Sequence, residues 1–303
     1  MVNTKVKIKN LEFKNPVITA SGTFGYGIEF LDFFDVNELG GITLKAVTPE
    51  ARFGNPTPRI AETSSGMLNA IGLANQGIDY FLTKIIPSLK PLKTNIIANI
   101  AGKTDEDYSL IADKLNGIPE IHAIEVNISC PNVKEGGIAF GQNPVSAASV
   151  LKKVRNKYHG VMIAKLSPNV TDITEFARIA ENEGADAISL VNTFKGISID
   201  IWNMKPVLSN KTGGLSGPAI KPIALRMVAE CAKVVSIPII GMGGIMTWED
   251  AVEFILVGAS LVSIGTANLI NPAASLEIKK GIEKYLERKG FSSVNEIRSK
   301  IQI

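Results

Sequence analysis

The chain has 303 residues, 45% of them hydrophobic and 20% charged, with a formal net charge of +3. That balance affords a sizeable core and argues against intrinsic disorder. Lysines and arginines are scattered without interleaved aromatics, so nothing points to nucleic acid, and no apolar run approaches the ~20 residues of a membrane span.

The two cysteines, Cys130 and Cys231, are too few for a disulfide framework. No CxxC or Cys/His cluster accompanies them, so this chain by itself does not ligate a four-thiolate iron–sulfur cluster. The opening MVNTKVKIKN lacks the apolar core of a signal peptide, and a reducing, cytoplasmic setting is expected.

In chain order, Val6–Phe13 alternates like a small hairpin, expected at the bottom or an edge of the fold. Eight short apolar runs follow: Pro16–Ser21, Gly41–Lys45, Thr94–Ile100, Ile121–Ile128, Val161–Leu166, Ala185–Val191, Ile237–Met242 and Ala259–Ile264. Helical spacing separates most of them. Ile78, Phe81, Leu82, Ile85 and Ile86 share one helix face. Thr104 with Asp107, and Thr247 with Asp250, have capping-box spacing, and Gly184 and Gly258 stand where helices should end. Eight strand–helix alternations without a composition break predict one closed (β/α)₈ TIM barrel, residues 1–303, with the small N-terminal hairpin and long βα-loop insertions. A doubly wound sheet would carry GxGxxG after its first strand; here that strand ends Ser21-Gly22-Thr23-Phe24-Gly25. Two connections are long, Ala46–Ala70 and Thr193–Gly217, and both follow strand C-terminal ends, where barrel active sites are built.

The glycines come first among residues that carry chemistry. Strand seven ends in Gly241-Met242-Gly243-Gly244 and strand eight in Gly265-Thr266. Glycines at these two neighbouring ends let backbone N–H groups approach phosphate oxygens, which implies a phosphorylated ligand of unspecified kind. In Ile121–Ile128, Ile124, Val126 and Ile128 share one face, while Glu125 and Asn127 share the other. If the apolar faces meet the helices, Asn127 and Lys45 point into the barrel mouth, near Asn99 and Lys165 at other strand ends. Two ammoniums there need an anionic or polar ligand to offset their desolvation. Cys130 lies on the loop after strand four, where a thiol of pKa ~8.5 can serve as a base once its surroundings lower it modestly. The segment Lys134–Gln142 that follows is read as a mobile lid. Cys231, on a helix, reads as a small buried hydrophobe, and His122 and His159 as structural.

The segment Glu125–Val133, EVNISCPNV, resembles the active-site loop of the dihydroorotate dehydrogenases. So do Ser21-Gly22-Thr23, Lys45, Asn69–Leu73, Asn192-Thr193, Gly213–Gly217 and Gly243-Gly244, a likeness covering nearly the whole chain. Cysteine at 130, the lid wording and the absence of a membrane-binding N-terminal extension look like class 1B, the NAD-linked type. The resemblance implies oxidation of dihydroorotate to orotate in pyrimidine synthesis, with Cys130 taking the C5 proton and the C6 hydride passing to flavin N5. It implies that Lys45, Asn69, Ala70, Ile71, Gly72, Leu73, Asn127, Asn132, Asn192 and Thr193 meet the substrate. FMN would be lined by Ser21, Lys45, Ala46, Asn99, Asn127, Lys165, Val191, Gly217, Gly243, Gly244, Gly265 and Thr266. It also implies a second subunit carrying FAD and a [2Fe-2S] cluster, joined to a homodimer core in a heterotetramer. The alternatives are a class 1A homodimer that reduces fumarate, a non-redox phosphate-binding isomerase or aldolase barrel, and a barrel that only binds.

Overall fold

The structure is a computed structural model that describes residues 2–129 and 140–301. Strands β1 (Val6–Ile8) and β2 (Leu11–Phe13) form the expected hairpin, pairing Val6 with Phe13 and Ile8 with Leu11. It buries Val6, Ile8 and Phe13. Asn95 donates to the Glu12 carbonyl at 2.8 Å, and Lys9 pairs with Asp186 at 3.1 Å. Asn95 and Asp186 stand at or just before the N-terminal ends of barrel strands, so the hairpin closes the bottom of the barrel.

All eight expected barrel strands form. They are β3 (Val17–Thr19), β4 (Gly41–Thr43), β7 (Asn95–Ile100), β8 (Ala123–Asn127), β9 (Val161–Lys165), β10 (Ala187–Leu190), β15 (Ile239–Met242) and β16 (Leu261–Ile264). They close in that order, β16 returning to β3, every pairing parallel. Strands covered on both faces must be apolar nearly throughout, hence runs such as Ile96-Ile97-Ala98 and Met162-Ile163-Ala164, all buried. Each fully buried Ile or Val contributes about 1.5–3 kcal/mol over its exposed state.

Helices cover the outside. Capping boxes at Thr104/Asp107 and Thr247/Asp250 open helices Asp105–Leu115 and Trp248–Leu256, each cap worth about 1 kcal/mol. Gly184 and Gly258 follow helices Ile173–Asn182 and Trp248–Leu256 with φ of 83° and 123°, as their spacing implied. The segment Gly77–Leu89 is helical and buries Ile78, Phe81, Ile85 and Ile86, but its middle, Phe81–Ile85, is a π-helical turn.

The two long connections are more ordered than a loop reading allows. The first supplies β5 (Ile60–Thr63) and β6 (Gly66–Asn69). The second supplies β11 (Phe194–Ile197), β12 (Ile199–Asp200), β13 (Lys205–Pro206) and β14 (Thr212–Ser216). Strands β11-β14-β6-β5 make one antiparallel sheet over the mouth, with Asn69 opposite Gly214 and Met67 opposite Ser216. It has its own small core of Leu68, Ala70 and Leu208. Among the described residues no helix is long and apolar enough to cross a membrane.

Candidate active site

A cavity of about 640 Å³ opens at the C-terminal mouth of the barrel, under the mouth sheet. That is within the range of small-ligand sites. Its floor is the ends of β3, β4, β8, β9, β10, β15 and β16; its far wall carries Ile60, Met67, Asn69, Gly214 and Ser216 from the sheet. The two long connections therefore act as the walls that their position implied.

Asn127 ends β8 in register with Lys165 of β9, and both line the cavity. Tyr108, fully buried, donates its hydroxyl to the Asn127 carbonyl at 2.8 Å and fixes that strand end. Ser129 donates to Asn127 Oδ1 at 2.8 Å, and Asn192 Nδ2 donates to both Ser129 Oγ and Asn127 Oδ1. With its oxygen so used, Asn127 is held with its Nδ2, which has no partner among the described residues, as the free end. Asn69 anchors its own Nδ2 on the Gly214 carbonyl at 3.3 Å, leaving Oδ1 as an acceptor. The cavity thus offers a free amide donor at Asn127 and a free amide acceptor at Asn69, both of which a cyclic urea can use. Ala70, Ile71, Gly72, Leu73 and Thr193 continue the same wall.

Lys45 is half-buried at the mouth and has no acidic partner among the described residues. Ser21 donates to the Leu44 carbonyl at 2.8 Å and ties the end of β3 to that of β4. Lys165 differs: its ammonium lies 3.5 Å from the carboxylate of Glu125, both buried. A protein anion therefore offsets one of the two ammoniums for which the sequence suggested a ligand.

The glycines converge at one end. Gly243 and Gly244, with φ of 118° and 79°, follow β15; Gly265 and Thr266 follow β16; Gly217 precedes a short turn into helix Lys221–Ala232. A Cβ at Gly244 would stand 2.8 Å from the Lys221 nitrogen and 2.9 Å from the Gly217 carbonyl oxygen, so only glycine fits. Thr266 donates to Ser216 at 2.8 Å and joins this end to the mouth sheet. Ala20, Ala46, Val191 and Met242 give apolar walls between the glycine end and the amides.

Asn99 stands apart from the other expected cofactor residues. It is fully buried under the floor, does not line the cavity, and donates Nδ2 to Glu125 at 2.6 Å. Its Oδ1 is the one buried side-chain polar atom without a partner among the described residues. Free amide groups, lysines, apolar walls and a glycine end suit a flavin mononucleotide, which has a urea-like edge, a flat apolar ring and a phosphate.

Cys130, Asn132 and residues 134–139 of the expected lid lie outside the described residues. The lid's last residues, Phe140–Gln142, form a 3₁₀ turn whose Gly141 N–H donates to the Ile128 carbonyl at 2.7 Å. Cys231 is fully buried on helix Lys221–Ala232, and burial pushes its thiol up to about 12, as befits an inert core residue. Three contributors carried no role in the sequence reading. Glu125 was legible as an acid sharing a face with Asn127, and Ser129 lay within the motif. Arg59, a cavity residue held by the carbonyls of Asn55 and Phe53, had no sequence signal.

Comparison with known proteins agrees with this architecture. The family model described as dihydroorotate dehydrogenase matches residues 3–286. A Bacteroides thetaiotaomicron protein named dihydroorotate dehydrogenase B (NAD(+)), catalytic subunit, is 55% identical over 303 residues, all of both chains. Proteins of the same name from Porphyromonas gingivalis, 56% identical over 298 residues, and Desulforamulus reducens, 55% over 296, each cover 98% of this chain and 97% of their own length. A barrel with this mouth and these full-length likenesses belongs to the dihydroorotate dehydrogenase family.

Proposed function

We propose that this chain oxidises dihydroorotate to orotate, the redox step of pyrimidine synthesis, on a resident FMN, and that a partner subunit passes the electrons to NAD. The observation that carries the reading is the convergence on one cavity of a glycine end, two lysines and the Asn127–Ser129–Asn192 network.

FMN, when bound, supplies the two-electron acceptor. The chain's own residues do the rest. Gly217, Gly243, Gly244, Gly265 and Thr266 would hold the phosphate through backbone N–H groups. Asn127, Asn192, Asn69 and Asn132 orient the substrate ring, with Ala70, Ile71, Gly72, Leu73 and Thr193 beside it. Lys45, with no acidic partner among the described residues, would meet negative charge at the mouth, and Lys165, paired with Glu125, would meet the charge of a reduced flavin. Cys130 takes the substrate's C5 proton, and it follows Ser129, a residue fixed by two asparagines. The mouth sheet covers one side of the cavity, and water displaced there on binding would strengthen each of these interactions.

In this reading the partner is an FAD and [2Fe-2S] subunit, as the resemblance to the class 1B enzymes implies, and the two cysteines of this chain agree with a cluster held elsewhere. The relatives' name, a catalytic subunit linked to NAD(+), supports this reading. Residues 1–303 act as one FMN-binding unit, in a homodimer core of a cytoplasmic heterotetramer. The test is to assay the purified chain alone and with that subunit. NAD reduction by dihydroorotate is expected only with the partner; efficient fumarate reduction by the chain alone would contradict the NAD assignment.

A further inference from the structure

The barrel interior below the cavity holds an acid that the chemistry above leaves unused. Glu125 lies on β8 two residues before Asn127, on the same face and so one pleat beneath the floor. It is 3% exposed, yet a carboxylate is expensive to bury without partners. Three donors from three other strands surround it: Asn99 Nδ2 of β7 at 2.6 Å, Ser189 Oγ of β10 at 2.8 Å, and Lys165 Nζ of β9 at 3.5 Å.

Two consequences follow from elementary chemistry. A carboxylate only accepts hydrogen bonds, so it takes the NH₂ end of Asn99 and fixes the amide with Oδ1 as the free acceptor. That oxygen is the one buried side-chain polar atom left without a partner among the described residues. The carboxylate also neutralises part of the Lys165 charge, and Lys165 lines the cavity while Glu125 does not. A lone buried ammonium would strongly favour negative charge on the ligand; a paired one favours it less.

We propose that Glu125 is a positioning residue for the flavin, one that orients Asn99 and offsets Lys165 so as to hold down the reduction potential of bound FMN. This rests on the flavin reading of the cavity. A flavin gains negative charge on reduction, so an unopposed Lys165 would trap the reduced form. The Glu125–Lys165 pair leaves enough positive charge to bind the flavin and keeps it able to release electrons to an acceptor of low potential.

The test is spectroelectrochemistry of the FMN-loaded full chain, with FMN affinity from fluorescence quenching. Glu125→Gln removes the charge at constant size. It should raise the potential by ~30 mV or more, equal to a tenfold preference for reduced flavin in a two-electron couple. Glu125→Asp keeps the charge and should stay closer to wild type, and Ser189→Ala, which removes one donor and no charge, should move the potential little. Should Glu125→Gln fail to fold, the apolar background decides. Lys165→Met should lower the potential and weaken FMN, and adding Glu125→Met should bring both back toward wild type. A wild-type chain that takes up no FMN overturns the flavin reading and this inference with it. A chain that binds FMN, whose potential is indifferent to Glu125 in either background, overturns the inference alone.

Discussion

In the proposed reaction the proton from substrate would fall to a single thiol, Cys130. Replacing it by serine leaves a far weaker base at neutral pH. Cys130→Ser is expected to slow flavin reduction by dihydroorotate about 10²–10⁴-fold while FMN stays bound. Stopped-flow bleaching measures the rate, and an unchanged rate removes the thiol from the mechanism. Gly244 is the opposite kind of residue, one that acts by having no side chain. A Cβ there would meet backbone atoms of Lys221 and Gly217 at 2.8 and 2.9 Å, which cannot yield as a flexible side chain can. Gly244→Val is expected to purify without flavin, and full occupancy in that variant would argue against the glycine end as the phosphate site.

Among the elements, the mouth sheet is separable from the barrel because it has its own core. Leu208 is 2% exposed and packs with Leu68 and Ala70 rather than with the main core. Leu208→Ala should cost about 2–5 kcal/mol locally, raise KM for dihydroorotate, and leave FMN content unchanged. Loss of flavin in that variant would show that the sheet also holds the cofactor. At the barrel's other end, His122 precedes β8 and accepts the Ile96 N–H on Nδ1 at 3.1 Å. Burial pushes its pKa below the ordinary 6.5. The neutral form is thus favoured in the fold, and its contribution is present above about pH 6.5 and lost as the pH falls through the lowered folded value. Denaturation midpoints of wild type and His122→Gln should converge on acidification; a gap that widens would reverse the sign.

Across the molecule, legibility followed the range of the interactions. The eight barrel strands could be read because burial on both faces forces apolar runs, and the caps at Thr104 and Thr247 because they are local. The mouth sheet could not. Its strands are short and rich in glycine, and Asn69 finds Gly214 only because the barrel brings their loops together. The same holds for the site: Asn127, Lys45 and the glycines had strand-end positions, whereas the role of Glu125 appears only when Asn99, Lys165 and Ser189 arrive from three other strands. The proposed reaction turns on one event, transfer of electrons from dihydroorotate to flavin in this cavity. An anaerobic single turnover of the FMN-loaded chain with dihydroorotate measures it. One orotate formed per flavin bleached is expected; a flavin that stays oxidised, or a chain that binds none, would contradict dihydroorotate oxidation on FMN.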